Sequence, residues 1–361
     1  MEERGVAPPL RRGLIAASAA AALAAGGCRL LGGEGPRVPL FGADPDRRAV
    51  FDRARASLAE GRIEEALLDL RRLRVEFPGE AAVPRAIQEA LVAAGEVEEA
   101  RAEARAELER ERSPSALVLA ARVALSSEEA ESTLAEALAL DRRDAGARHG
   151  LARLRLARAR EAGTSLPDEK RHELEEEGRR AIEALVRDDP GYLPARADRA
   201  ALFVRAGDRG AAIRELQALL DSDPGDAASR LALGLLDLEE DRAPEAGREF
   251  DRLLAARPFD AEALFGLAAA EAAQERAREA LAAIERALAL DPGDPRGLLS
   301  LGILRRQRLG DPEGAAEALR ACLASPRAAL TLSIFERLRA RLLLEKIEAP
   351  TTSAPASRPQ E

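Results

Sequence analysis

Residues 227–260 read AASRLALGLLDLEEDRAPEAGREFDRLLAARPFD, and this 34-residue string sets the beat of the chain. Pro258, near its end, is one of a series: Pro190, Pro224, Pro258, Pro292 and Pro326 each follow the last by 34 residues. Gly178, Ala212, Ala246, Ala280 and Gly314 form a small-residue column ahead of the prolines. Ala200, Gly234, Ala268 and Gly302 form a second column ahead of the first, and Leu185, Leu219, Leu253, Ala287 and Ala321 form an apolar one. Recurrence at this period is the signature of stacked supersecondary units.

Within the string, Leu231, Leu233, Leu235, Leu236 and Leu238 sit on one helix. Ala246, Phe250, Leu253 and Leu254 sit at helical spacing on a second. Gly or Ala at the crossing lets the two backbones approach, where a larger side chain would overpack the pair. The proline ends the second helix, because its ring cannot continue the hydrogen-bond ladder and restrains the residue before it. Gly225-Asp226, Phe259-Asp260 and Gly293-Asp294 then supply a turn and an N-cap for the next unit. No unit has enough core to stand alone.

Ala261-Glu-Ala-Leu-Phe-Gly-Leu-Ala268 and Glu279-Ala-Leu-Ala-Ala-Ile-Glu-Arg-Ala-Leu-Ala-Leu-Asp-Pro292 resemble the tetratricopeptide repeat. The resemblance implies an all-α solenoid of about eight helix-turn-helix units forming a right-handed superhelix. Two family positions depart from the pattern. The large aromatic of the first helix is replaced by Arg196, Arg230, Leu264 and Leu298, and the family tyrosine by Phe203, Asp237, Glu271 and Arg305. In similar proteins the first helices line a concave groove. By that likeness Leu231, Leu235, Leu238, Phe265, Leu299 and Ile303 would line a groove for a protein or peptide segment. The Lys and Asn pattern of members that clamp a terminal carboxylate is missing from these positions. If the array curves tightly, the same side chains are buried in the array itself.

Composition agrees with an all-α chain. Hydrophobic residues reach 46% while aromatics are 2% and Trp is absent, so the apolar content is mainly Ala and Leu, both strong helix formers. A net charge of -9 argues against bulk nucleic-acid binding, which needs a clustered basic face. The arginines alternate with glutamates at helical spacing and read as a solvated, ion-paired surface.

The chain opens with Arg4, Arg11 and Arg12, an apolar run from Gly13 to Gly27, and Cys28 directly after small residues. The run is too short for a permanent span and suits a signal segment. Residues 1–28 resemble a bacterial lipoprotein leader, with Cys28 as the lipidated residue; Ala25 stands where that family prefers Leu. An anchor without lipid and an Ala-rich leader are the competing readings. The expected location is the bacterial envelope, with a membrane-anchored lipoprotein facing the periplasm. Residues 29–45 are rich in Gly and Pro and read as a tether.

Residues 46–326 carry the array. Gly61, Ala66, Leu70, Leu73 and Pro78 mark the first unit. Units in 81–190 fit less well: Gln88 and Glu107 occupy expected small or apolar positions, and Gly163 to Asp168 interrupts an extended unit. There Ser165 and Pro167 read as the start of a second helix. Regular units fill 191–326. Residues 327–348 are expected to form one capping helix from Ala328 to Ile347, its stripe of Leu330, Ile334, Leu338, Leu342 and Leu343 covering the last repeat. Residues 349–361 read as a disordered tail.

Nothing reads as an active site. His149 and His172 are expected on the surface, and they lack a second ligand at metal spacing. Cys322 is expected to be buried and inert, and the acidic run from Glu173 to Glu177 to be a solvated helix face. No phosphate loop, serine elbow or Cys-x-x-Cys motif is present. The sequence thus predicts a non-enzyme without cofactor, metal or small-molecule substrate. It would be an envelope-anchored scaffold binding protein through its groove. The alternative is an assembly subunit of an envelope complex held by its outer faces.

Overall fold

The computed structural model describes residues 44–349, apart from 60, 81 and 162–165. Every regular element among the described residues is helical. They fall into two compact units that divide between Ser229 and Arg230. The leader with Cys28, the tail beyond Ala349, Ser165 and nearly all of the tether lie outside the described residues.

Up to Ser222 the helices come in five consecutive pairs: α1 (Pro45–Ala59) with α2 (Ile63–Glu76), α3 (Ala82–Ala94) with α4 (Val97–Arg110), α5 (Pro114–Arg122) with α6 (Ser127–Leu140), α7 (Ala145–Arg160) with α8 (Asp168–Asp188), and α9 (Leu193–Ala206) with α10 (Arg209–Ser222). Each packs on its neighbours in sequence. The extra residues of the fourth pair lengthen its helices: α7 has 16 residues and α8 has 21, against 14 in each helix of the next pair. Pro167 is the N-cap of α8, one place before the helix. Three more pairs follow: α11 (Ala227–Glu239) with α12 (Ala243–Ala256), α13 (Ala261–Ala273) with α14 (Ala277–Leu290), and α15 (Pro295–Leu304) with α16 (Pro312–Ala324).

The crossings are as tight as the small-residue columns require. A Cβ on Gly266 would lie 2.4 Å from the Phe250 ring, one on Gly178 2.6 Å from Leu156, and one on Gly302 2.6 Å from Leu319. Asp144, Asp208, Asp226, Asp260, Asp294 and Asp311 each accept a backbone N–H of the following helix on a side-chain oxygen, which satisfies donors the helix itself cannot.

The turn inside the pairs keeps the same period in its backbone. Gly61 and Gly95, 34 residues apart, have φ of 80° and 82°. Gly207, Asp241 and Glu275 repeat at the same interval with φ of 78°, 62° and 64°. The next position would be Leu309. There the chain inserts a π turn (Arg305–Leu309), and Gly310 takes the left-handed conformation one residue late. A π turn absorbs one extra residue, and α16 is one residue shorter than α14, so the proline spacing survives.

After α16 the expected single helix is broken into α17 (Ala328–Thr331) and α18 (Ile334–Glu348). Ser333 restarts the chain with a capping box: its hydroxyl accepts from the Glu336 N–H at 3.2 Å, and the Glu336 carboxylate accepts from the Ser333 N–H at 2.7 Å. The restart turns the stripe around. Ala340, Leu343, Leu344 and Ile347 pack on the last repeat with Leu319, Cys322 and Leu332, whereas Leu330, Ile334, Leu338 and Leu342 are exposed. The helix caps the array, but of the expected stripe only Leu343 turns inward and the other four members face out. No helix among the described residues is long and apolar enough to cross a membrane.

Glu275 is the least suited side chain in the left-handed turn series, since a non-glycine residue there costs about 1–2 kcal/mol. Its one ion pair in the turn, with Arg308 at 3.6 Å, is largely solvent-exposed and contributes little. Glu275→Gly is therefore expected to leave stability unchanged or raise it by up to about 1 kcal/mol, read as an upward shift of the urea midpoint. A loss of 1 kcal/mol or more would contradict the turn assignment.

Candidate functional site

In the C-terminal unit, α11, α13 and α15 carry the six residues expected to line a groove. Leu231 is half-buried. Leu235, Leu238 and Phe265 are buried, and Leu299 and Ile303 are each 1% exposed. The Phe265 ring lies 3.2 Å from where a Cβ on Gly297 would be, with the Arg296 guanidinium 5.2 Å over its face. Leu299 and Ile303 pack in one cluster with Leu319, Cys322 and Leu332. All of these side chains but Leu231 are buried in the unit's interior. Cys322 is buried beside them. Its thiol donates to the Pro295 carbonyl at 3.3 Å, and burial pushes it up to about 11. It stays a thiol at neutral pH and is unreactive.

The N-terminal unit places a concave pocket of about 420 Å³ on the first helices of four successive pairs. Arg85, Gln88 and Val92 come from α3, Val118 and Arg122 from α5, His149, Arg153 and Arg160 from α7, and Asp198, Ala201 and Arg205 from α9. Spacings of three, four and seven put each set on one helical face. Leu134 of α6 closes the floor, seated where a Cβ on Gly150 would lie 2.8 Å away.

His149 is 2% exposed and not on the surface. An imidazole is tolerated at this depth because both nitrogens are bonded. Nε2–H donates to Asp198 Oδ2 at 2.9 Å, and the Tyr192 hydroxyl donates to Nδ1 at 3.4 Å; the tautomer follows from the partners. Burial lowers the His149 pKa, with Asp198 opposing and Arg153 and Arg85 assisting. The ring is neutral at pH 7. With both nitrogens engaged and no serine, cysteine or second carboxylate in the lining, the pocket offers no activated nucleophile.

Arg122 is the deepest cation here. Its Nη2 meets Glu89 at 3.4 Å while the buried Nη1 has no hydrogen-bond partner. Burial lowers its pKa and raises that of Glu89. Beside it, Gln88 donates through Nε2 to the Leu119 carbonyl at 2.7 Å and leaves Oε1 unpartnered. The sequence reading assigned these arginines to a solvated surface. Their common signal was recurrence on one face of consecutive first helices, which charge counting does not separate from an exposed ion-pair ladder. Among the described residues no group of three or more His, Cys, Asp or Glu side chains could hold a metal.

Residues 197–261 and 231–295 match the sequence family described as tetratricopeptide repeat. No curated protein matches the chain. Among solved structures, the APC/C hetero-tetramer Cut9–Hcn1 superposes with a TM-score of 0.59 at 15% identity, over 85% of this chain and 57% of that chain. A structure of YrrB, titled a TPR protein with an unusual peptide-binding site, gives 0.45 at 17% identity, over 58% and 97%. MamA from Desulfovibrio magneticus RS-1 gives 0.43 at 21%, over 50% and 96%. The first likeness is one of fold, and the chain spans little more than half the length of that structure's chain; the other two superpose too loosely to add to it. The chain is all-α and built from paired-helix repeats. Its residues 197–295 match tetratricopeptide repeats, and its fold is that of stacked helix pairs, a form suited to protein–protein interaction.

The buried histidine makes stability pH-dependent. A free imidazole titrates near 6.5, whereas His149 in the fold titrates lower. The unfolded chain therefore binds the proton first, and stability present above about 6.5 is lost as pH falls, by at most about 1.4 kcal/mol per pH unit. Asp237 of the C-terminal unit, raised to about 6 by burial, acts oppositely: its protonated form favours the fold, so stability is lost as pH rises through 6. The difference between wild type and His149→Gln isolates the histidine. Denaturation midpoints from pH 7.5 to 5.5 are expected to fall more in wild type than in the variant.

Proposed function

We propose that the protein is an assembly subunit of the bacterial envelope that holds a partner protein on its outer apolar faces. The observation that carries this reading is the reversed stripe of the terminal helix. Leu330 is 87% exposed and Phe335 82%, with Ile334, Leu338 and Leu342 beside them. A contiguous set of large apolar side chains on the end of an array is what an interface covers. The interior placement of Leu235, Phe265, Leu299 and Ile303 favours outer-face docking over docking along that row.

The leader supports an envelope location: the basic start, the short apolar run and Cys28 after small residues are the parts of an export signal. Cys28 would carry the lipid and hold the array near a membrane.

Two experiments test the two halves. A photo-crosslinking residue at Phe335, in the native host, is expected to trap one dominant protein, and the same probe at the equally exposed Val75 is not. Phe335→Glu with Leu338→Glu is expected to abolish the crosslinked assembly while shifting the melting free energy by no more than about 0.5 kcal/mol. Equal labelling at both positions would sink the docking face. For the anchor, wild type is expected to take up acyl label and partition with membranes, and Cys28→Ala to do neither; soluble, uncleaved chain in the host would refute it.

A further inference from the structure

The pocket between α3, α5, α7 and α9 belongs to neither docking face, and its lining is rich in arginine. Arg85, Arg122, Arg153, Arg160 and Arg205 line it with one aspartate, Asp198. That aspartate is already engaged: it accepts from His149 at 2.9 Å and stands 3.5 Å from Arg153 Nε. Glu89 answers Arg122 through Nη2 only, at the long distance of 3.4 Å. Arg160 and Arg205 repel, and Glu175 and Asp198 are the acids acting on Arg205.

One buried donor sharpens the point. Arg122 Nη1 has no hydrogen-bond partner. A buried unpaired polar atom costs free energy comparable to a lost hydrogen bond and calls for an explanation. The rest of the wall is apolar, with Val92, Val118, Leu134 and Leu154 beside the guanidiniums. A cavity of about 420 Å³, mostly apolar with a few convergent polar groups, is the form of a ligand site. A guanidinium fork fits a carboxylate or phosphate in two hydrogen bonds.

We propose that this pocket binds an amphipathic anion, a carboxylate or phosphate head on an apolar body, with the head at Arg122 and the body against Val92, Val118 and Leu134. The head completes the hydrogen bonding of Arg122 Nη1 and offsets the repulsion among the arginines. The body supplies the apolar burial that a bare ion lacks. Such a ligand comes either as a free amphiphile or as an acidic segment with apolar neighbours in a partner protein. The proposal stands whether or not the terminal helix docks a partner.

The test is fluorescence anisotropy on the full chain. The chain has no tryptophan, so dansyl probes report without interference from indole emission. The free-amphiphile arm uses dansylaminoundecanoate and its uncharged amide. The peptide arm uses a dansylated octapeptide of alternating Leu and Glu and its Leu-Gln counterpart. Inorganic phosphate competes for the head position alone. In at least one arm the anionic probe is expected to saturate a single site and to bind about tenfold or more tighter than its neutral counterpart, weakening as salt rises. The arm that does so identifies the source. Arg122→Gln is expected to weaken it about tenfold.

Because Arg122→Gln leaves Glu89 without its partner and can disturb the fold, Arg205→Gln is the second variant. It removes one of two mutually repelling cations. Its ligand-free melting temperature is expected to equal or exceed that of wild type while the anionic probe still binds several-fold weaker. The proposal is overturned if neither anionic probe saturates below about 1 mM, if anion and neutral counterpart bind alike in both arms, or if Arg205→Gln, folded, binds unchanged.

Discussion

The contact on which the array depends is a large side chain seated on bare backbone. Phe250 of α12 is fully buried, with its ring where Cβ atoms of Gly234 and Gly266 would lie, at 2.8 and 2.4 Å. One ring therefore fixes the crossing inside its own pair and the approach of the next pair. Leu319 on Gly302 repeats the arrangement in the C-terminal unit, and Leu156 on Gly178 and Leu134 on Gly150 repeat it in the N-terminal one. Interiors pack at crystal density, so a methyl at any of these glycines must displace a core side chain. The small columns in the sequence are the record of that constraint, and they locate the helix pairs before any helix is seen.

Legibility followed the strength of the local cause. Proline, glycine and N-cap aspartate act on the backbone within a few residues of themselves. The pair boundaries and the caps at Asp260 and Asp294 could thus be placed from spacing alone. The π turn at Arg305–Leu309 could not, because its cause is a one-residue delay between Leu309 and Gly310 that the proline period conceals. The terminal helix was misjudged for a related reason. It is apolar on two faces, and only the Ser333–Glu336 capping box decides which of them turns inward. The pocket was hidden because Arg85, Arg122, Arg153 and Arg205 have the same helical spacing whether the face they occupy is convex or concave.

Charge plays different parts in different places. Many of the ion pairs among the described residues join exposed side chains, such as Arg72 with Glu76 and Lys170 with Glu173. Such pairs contribute little and keep the surface solvated. A smaller set is buried and follows the repeat. Glu215 holds Arg196 at 2.7 Å, and 34 residues on Glu249 holds Arg230 at 2.7 Å. Arg196 and Arg230 stand where similar repeats carry a large aromatic. The long arginine stem covers apolar surface as a ring would, and the buried glutamate neutralises its head.

The next repeat shows that the fold does not require this ion pair. At the positions of Arg230 and Glu249 it has Leu264 and Ala283, both buried. The charged pair and the apolar pair thus occupy the same place in consecutive units of one architecture. That equivalence is physically reasonable, because desolvating two charges costs about what their attraction returns. What the exchange does not permit is a half-change: a glutamate left beside a leucine would be a buried, unpaired carboxylate costing about 3–5 kcal/mol. The pocket of the N-terminal unit departs from this rule. Arg122 keeps a buried donor unpaired at the wall of a cavity. Arg242 and Arg339 also keep buried donors without a hydrogen-bond partner, so it is the cavity beside Arg122, and not the unpaired donor alone, that gives a ligand room.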